Sequence, residues 1–300
     1  MSPEVTAVIT THARPLHVSQ ALASLRAEVH RDIEIVIVDD GGAFTDSGAD
    51  LRANERIVSG ESLGVAGARN LGRAAARGEF LIFLDDDDVA LPHRISTLLG
   101  AARRSDAALC FGLTRRVFPG SSITLEPVPT RLLSTGAAGF CDVLTCAPHT
   151  NAVLVRTRAL RAAGGFDEQA SHFDDWSAWL RVADQHRTIW NVPDVVAEWR
   201  LHPNGLSGQV LTIRAMKARL IALFDRLEPS LSAENARAVA IARNIVSKSD
   251  VTTYDDYVNA VAEARDELHA TGRCLGRRFE PHRADLSRRS TTFDSVAASW

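Results

Sequence analysis

The 300-residue chain has no apolar run near the roughly 18 residues a membrane span needs, and its mean hydropathy is −0.06, so an integral membrane protein is not expected. It has no excess of positive charge: 34 Lys and Arg stand against 37 Asp and Glu, a net −3. A general nucleic-acid binder is therefore excluded, because such proteins collect basic charge for the phosphate backbone. The opening Met1–Thr11 contains Glu4 but no Lys or Arg, unlike the basic start of a secretory signal. The expected compartment is cytoplasmic, with peripheral contact at the inner face of a membrane left open. Cys110, Cys141, Cys146 and Cys274 form no C-x-x-C pair, so buried free thiols are expected rather than a metal knuckle. Lysine is almost missing: only Lys217 and Lys248 occur, and 32 of the 34 basic residues are Arg, a bias that reflects coding composition more than function. Internal repeats and low-complexity tracts are also lacking. What is present, 45% hydrophobic and 24% charged residues, is the composition of an ordinary globular protein.

The first half alternates strand and helix signals. Val5–Thr10, Ile33–Val38, Phe80–Leu84 and Ala107–Leu113 are short apolar runs, with a weaker candidate at Arg56–Ser59. Nearly continuous apolar character is what a strand covered on both faces requires. Between them, His17–Glu28, Gly67–Arg77 and the stretch from Pro92 to Arg103 carry helical spacing. This β-α-β alternation predicts an α/β fold with a mostly parallel, Rossmann-like sheet flanked by helices. Right-handed crossovers then place the strand C-termini on one edge, where ligands bind. Asp39-Asp40 and Asp85–Asp88 each come directly after a strand, so both acidic clusters should share that edge. The second half is less regular. Gly120–Pro148 is rich in turn residues, Asn151–Val155 reads as a strand, Arg158–Ala163 as a short helix, and Asp174–Gln185 as an amphipathic helix with Trp176, Trp179, Leu180 and Ala183 on one face. Gly208–Leu227, Ala233–Ser247 and Tyr254–Thr271 read as Ala-rich helices, and residues 273–300, with six Arg and three acids, as a loose basic tail.

The acidic run Asp85–Asp88 is the sharpest chemical signal. Four adjacent carboxylates repel one another unless a cation intervenes, and Mg²⁺ or Mn²⁺ is typically held by one or two carboxylates plus substrate phosphates.

Taken in order along the chain, the motifs resemble an inverting family 2 glycosyltransferase of the GT-A fold. Val8–Arg14 (VITTHAR) is similar to the family's first strand and nucleotide-contacting loop, and Ile35–Gly42 (IVIVDDGG) to its V-D-D-G-S. Gly64–Asn70 (GVAGARN) and Gly78–Asp88 (GEFLIFLDDDD), continued by Leu91–Arg94, are similar to G-x-x-x-A-R-N and G-E-x-x-x-F-L-D-x-D-D. Leu154–Glu168 (ending GGFDE), Asp174–Arg181 (DDWSAWLR) and Trp199–His202 (WRLH) resemble the acceptor-side motifs. The resemblance covers residues 5–205. It implies a transferase core over 1–205, comprising a nucleotide-sugar half (1–115) and an acceptor-side half (116–205), then a helical extension (206–272) and the tail (273–300).

The resemblance also implies roles. Donor binding falls to Thr10, Arg14, Asp40, Arg69, Asp85 and Asp86, with Asp40 on the base and Arg69 facing the diphosphate. Asp87 and His202 would ligate Mn²⁺ or Mg²⁺. Asp175 would be the catalytic base, and Gly165, Asp174 and Trp176 would lie on the acceptor side. Asp174 stands where the family carries Glu, and Ser177 where it carries a third acid. The implied reaction moves a sugar from a nucleoside diphosphate, UDP favoured, to a hydroxyl-bearing acceptor by one displacement. A homodimer through the C-terminal helices is a further expectation. Two rival enzymes lack their marks: the loop after the first strand, THARPLH, has no Gly-rich phosphate cradle with a Lys, as a nucleotidyltransferase would, and no G-x-G-x-x-G comes after a strand, as in a dehydrogenase. The alternative from another class is a non-catalytic nucleotide-sugar-binding or scaffold protein of the same fold.

Overall fold

The computed structural model describes residues 2–42, 51–118, 124–125, 136–170, 172–201, 213–249, 251, 254–263 and 268. His202 and the tail 273–300 lie outside the described residues.

Strands β1 (Val5–Thr11), β2 (Ile33–Asp39), β3 (Glu55–Ser59) and β4 (Phe80–Asp85) come with helix α1 (Pro15–Arg26) between the first two and α2 (Gly64–Ala75) between the last two. They pair in parallel in the order β3-β2-β1-β4. The apolar runs divide by parity, as a pleated strand demands. Val8, Val36, Val38, Leu81 and Phe83 enter the core on one face, and Ala7, Ile9, Ile35, Ile37, Ile82 and Leu84 enter the other. Helix α2 lies so close to β1 that a Cβ on Gly72 would come within 2.3 Å of the Val8 side chain.

Beyond β4 the sheet is mixed. Short β5 (Val89–Ala90), α3 (Arg94–Ser105), β6 (Leu109–Val117), β7 (Thr124–Leu125), β8 (Gly136–Ala138), α4 (Phe140–Cys146), β9 (Val153–Arg156), α5 (Thr157–Ala162), α6 (Asp174–Gln185) and β10 (Ile189–Arg200) come next in chain order. The sheet runs β3-β2-β1-β4-β9-β6-β10-β5, with β9 antiparallel to both its neighbours. The fold is thus the α/β arrangement expected, with an antiparallel insertion. One strand departs from the sequence reading. Ile189–Arg200 shows no strand signal because Pro193 and polar Asn191 and Asp194 interrupt it, yet it forms a twelve-residue strand parallel to β6. Register shifts between Asn191 and Ala197 absorb the proline, which lies exposed at that irregularity.

Helices α7 (Ile213–Leu227), α8 (Ala233–Lys248) and α9 (Tyr254–Glu263) close the described chain. Their apolar faces do not form a separate core: Leu220, Phe224, Val239, Tyr257 and Val261 belong to the same cluster as Trp176, Trp179 and Phe83. Among the described residues no helix is long and apolar enough to cross a membrane. Cys110 and Cys146 are buried and lie outside any disulfide. Cys141 is disulfide-bonded, which corrects the free-thiol expectation for that residue.

Candidate active site

Strand β1 is where the strand order reverses, with β2 and β3 on one side and β4 on the other, and such a switch point opens a crevice at the strand C-termini. Register puts the two acidic clusters there together: Thr11 of β1 lies beside Asp39, and Thr10 beside Asp85.

On the β2 side, Asp40 is buried and satisfied by backbone. Its two carboxylate oxygens accept from the amides of Leu63 (2.7 Å) and Gly64 (2.9 Å), capping the start of α2. Thr10 is half-buried at the crevice. Arg14, from the loop after β1, reaches across. Its Nη1 donates to Asp87 Oδ2 at 2.9 Å and its Nη2 lies 3.1 Å from Asp86 Oδ1, while the side chain stays about a third exposed.

On the β4 side, the four carboxylates have four different settings. Asp85 accepts from Arg69 Nη2 at 2.8 Å. Burial opposes its charge, but Arg69, His149 and Arg14 outweigh burial and hold the carboxyl below its usual range. Asp86 is buried and accepts from Thr11 Oγ1 at 2.6 Å, and burial pushes its pKa up to about 6 against the pull of Thr11 and Arg14. Asp87 is the more exposed partner of Arg14. Asp88 is buried, and burial with the charges of Asp87 and Asp85 pushes its carboxyl well up. Its oxygens accept from the Arg200 amide (2.7 Å) and from Asn151 Nδ2, and Asn151 Oδ1 accepts from the Asp85 amide at 3.1 Å. Asn151 therefore ties both ends of the acidic turn.

Ligand atoms of Asp85, Asp88 and His149 all lie within 4.8 Å of one another. Opposite ligands of an octahedral Mg²⁺ stand about 4.2 Å apart, so this spacing is close to what one ion requires. Burial pushes His149 down to about 4, which leaves the imidazole neutral and able to offer a lone pair. Its ring lies 4.6 Å from that of Trp199 on β10. Two carboxylates and an imidazole form a fitting donor set for Mn²⁺. Sequence reasoning named neither His149 nor Asn151. A lone His in a turn-rich stretch and an Asn at a strand start carry no local signal.

Of the residues expected on the acceptor side, Asp174 and Trp176 come from α6, as does Asp175, while Gly165 precedes that helix. Asp174 Oδ2 accepts from Arg69 Nη1 at 2.8 Å. Arg69 is thus not open to the crevice. It is buried, 5% exposed, and bridges Asp85 to Asp174, which together with Asp175 raise its pKa against the effect of burial. Asp175 is half-buried, and burial, Asp174 and Asp85 push it up to about 7 while Arg69 and the Trp176 amide pull the other way. Trp176 is 2% exposed. Its Nε1 donates to the Val143 carbonyl at 3.0 Å, and its ring meets Phe173, Phe224 and Tyr257 edge to face at 5.1–5.9 Å, so it stacks on the protein interior. Gly165 has φ +76°, and a Cβ there would come within 2.4 Å of Asn70 Oδ1. The close approach it permits is to α2: Asn70 donates to the Phe166 carbonyl (2.9 Å) and accepts from the Phe166 amide (2.9 Å).

The family model for glycosyl transferase family 2 matches residues 6–196. An uncharacterized glycosyltransferase of Nostoc sp. is 30% identical over 178 residues, 52% of this chain and 52% of that protein. The Escherichia coli UDP-Glc:alpha-D-GlcNAc-diphosphoundecaprenol beta-1,3-glucosyltransferase WfgD is 22% identical over 225 residues, 72% of this chain and 83% of its own. Matches to the first three curated relatives span between 33% and 52% of those proteins. Among solved structures, S. aureus TarS 1–349 in complex with UDP-GlcNAc gives a TM-score of 0.64 at 13% identity, over 90% of this chain and 84% of that one. The mannosyltransferase PcManGT from Pyrobaculum calidifontis, in complex with GDP-Man and Mn²⁺, gives 0.61 at 17% identity, over 90% and 79%. At these identities the structural likeness speaks for the fold, and the match over residues 6–196 settles the family: the chain belongs to glycosyl transferase family 2.

Proposed function

We propose that the protein is a metal-dependent, inverting glycosyltransferase that moves a sugar from a nucleoside diphosphate to a hydroxyl-bearing acceptor, with Asp175 as base. The observation that carries this reading is one juxtaposition: Asp85 at the end of β4 and Asp174-Asp175 at the start of α6 are joined through the single guanidinium of Arg69, at 2.8 Å on each side. A donor-side acidic turn and an acceptor-side carboxylate thus share one crevice.

A general base works best with a pKa near the working pH, and Asp175 at about 7 meets that condition. It takes the proton of the acceptor hydroxyl. The oxygen bonds to the anomeric carbon as the bond to the diphosphate breaks, and the nucleoside diphosphate leaves with the electron pair. With no enzyme nucleophile intervening, configuration inverts. Asp85, Asp88 and His149, with Asp87 beside them, would hold a divalent cation, and His202 joins this proposal from outside the described residues. Such a cation neutralises charge developing on the departing diphosphate. Arg14 is free enough to turn from Asp86 and Asp87 toward the same phosphates. Thr10 and Asp40 border the pocket assigned to the nucleoside. UDP is the favoured nucleotide, in keeping with the UDP-Glc in the name of WfgD and the UDP-GlcNAc bound to TarS.

The test is a panel of nucleotide sugars and acceptors with Mn²⁺ or Mg²⁺, run on the wild type and on Asp175→Asn. The expected outcome is transfer by the wild type alone, with UDP binding retained in the variant. Full turnover by Asp175→Asn sinks the base assignment, and no binding or turnover of any donor by the wild type favours a scaffold.

A further inference from the structure

We infer that Arg69 is a positioning residue for Asp175: its guanidinium pins the first turn of α6 to the end of β4. The inference rests on the proposed role of Asp175 as base and deepens it.

Helix α6 begins without the usual means of fixing a helix start. Its N-cap, Phe173, sits in the left-handed region at φ +62° and makes no side-chain capping bond. Helices generally rely on a Ser, Thr, Asp or Asn at that position, and a non-glycine residue held at positive φ costs of order 1–3 kcal/mol, so it persists only where the surroundings impose it. The long-range contact to Arg69 imposes it here. Asp174, the first residue of α6, accepts from Nη1, and Asp85 accepts from Nη2 of the same planar group. A guanidinium is a rigid fork, so the two bonds fix direction as well as distance.

Arg69 itself has little freedom. Its guanidinium carbon lies 5.8 Å from the Phe166 ring centroid, and that ring is held edge-on by Phe83 (4.9 Å) and Trp179 (5.6 Å). The next residue, Asn70, is bonded to both the amide and the carbonyl of Phe166. Swinging Arg69 onto a phosphate would break both ion pairs and leave two partly buried carboxylates without their cation, a costly exchange. The adjacent Asp175 is therefore aimed by a cation that need not touch the substrate.

The charged groups facing Asp175 are Asp174 on its own helix, Asp85 on β4 and Arg69 on α2. That set makes a sign test. The Asp175 carboxyl can be tracked by ¹³C NMR in protein labelled at Asp Cγ, its resonance assigned by loss in Asp175→Asn, so no donor is required. Arg69→Met should move its titration upward by about one unit or more, because two like charges remain without the opposing one. Asp174→Asn should move it downward. Arg69→Lys keeps the charge but not the fork, so the titration should stay near that of the wild type while kcat falls about 100-fold, the scale of a 1 Å misplacement. UDP affinity should be nearly unchanged in all three. With Asp175→Asn inactive, an Arg69→Met enzyme that loses UDP affinity while keeping kcat and titration overturns the inference alone and makes Arg69 a donor ligand. Arg69→Lys at full kcat overturns it too, and remains decisive if Arg69→Met does not fold. Turnover by Asp175→Asn overturns the base reading and this inference with it.

Discussion

The part of the molecule from β1 to β4 and the part from α4 to α9 hold their candidate site residues in different ways. In the first, three of them sit at the ends of strands whose own sequences specify them, while Arg14 follows in a loop and Arg69 lies on α2. Thr10, Asp40 and Asp85 come at the ends of apolar runs, and parallel register aligns them across three neighbouring strands. In the second, placement comes from partners far along the chain: Asp174 from Arg69, and Trp176 from Phe224 and Tyr257. The Asp88 turn after β4 is likewise held from afar, by Asn151 and Arg200. The reaction proposed needs both parts to meet at one edge, and only the strand ends of the first can be assembled from local rules.

That contrast can be broken at graded points. The largest effect should come from Asp175→Asn, which removes the proposed base and should lower the transfer rate by about 10²–10⁴-fold, read in the donor-panel assay. The pH profile sharpens the same point. With the Asp175 carboxyl near 7, the wild-type rate should rise as pH increases through about 7, because only the deprotonated form accepts the acceptor's proton. A profile flat between pH 6 and 8 would place the base elsewhere.

Next is Trp176→Ala. The ring is 2% exposed and packs on Phe224 and Tyr257 of α7 and α9 as well as on Phe173, so its loss should cost about 3–5 kcal/mol in chemical denaturation. A change near zero would show that α7 and α9 do not support α6. Asn151→Ala should cost less, about 1–3 kcal/mol, by leaving the Asp85 amide and an Asp88 oxygen unsatisfied. It should also weaken Mn²⁺ binding to the protein without donor, which calorimetry would show. The smallest effect is expected from Arg226→Ala on the surface of α7. Its pair with Asp167 is partly exposed, and such pairs contribute about 0–1 kcal/mol.

Legibility in the sequence divides along the same line. The shared edge of Asp39-Asp40 and Asp85–Asp88 was readable because a buried strand announces itself by four to six apolar residues, and the chain leaving such a strand must turn out at the sheet edge. Strand β10 was not readable. Pro193 and its polar neighbours remove the pattern, and pairing with β6 supplies the reason for extended structure that the local sequence lacks. Arg69 was readable as a residue of interest but not in its setting, since its partner Asp174 lies 105 residues away. Trp176 was expected on the acceptor side from its place next to Asp175, whereas its ring is buried among Phe173, Phe224 and Tyr257.

By itself the sequence determined the α/β class, the positions of the strand-end carboxylates and, through the order of its motifs, the family. These depend on periodicity and on short-range spacing, which neighbouring residues set without help from the rest of the chain. The tertiary structure alone decided which charges meet. It brought His149 to Asp85 and Asp88, turned Asp40 to the start of α2, and suspended the first turn of α6 from Arg69. An ion pair has no sequence period: two opposite charges attract wherever folding leaves them close and dry, so their partnership exists only once the chain has closed on itself.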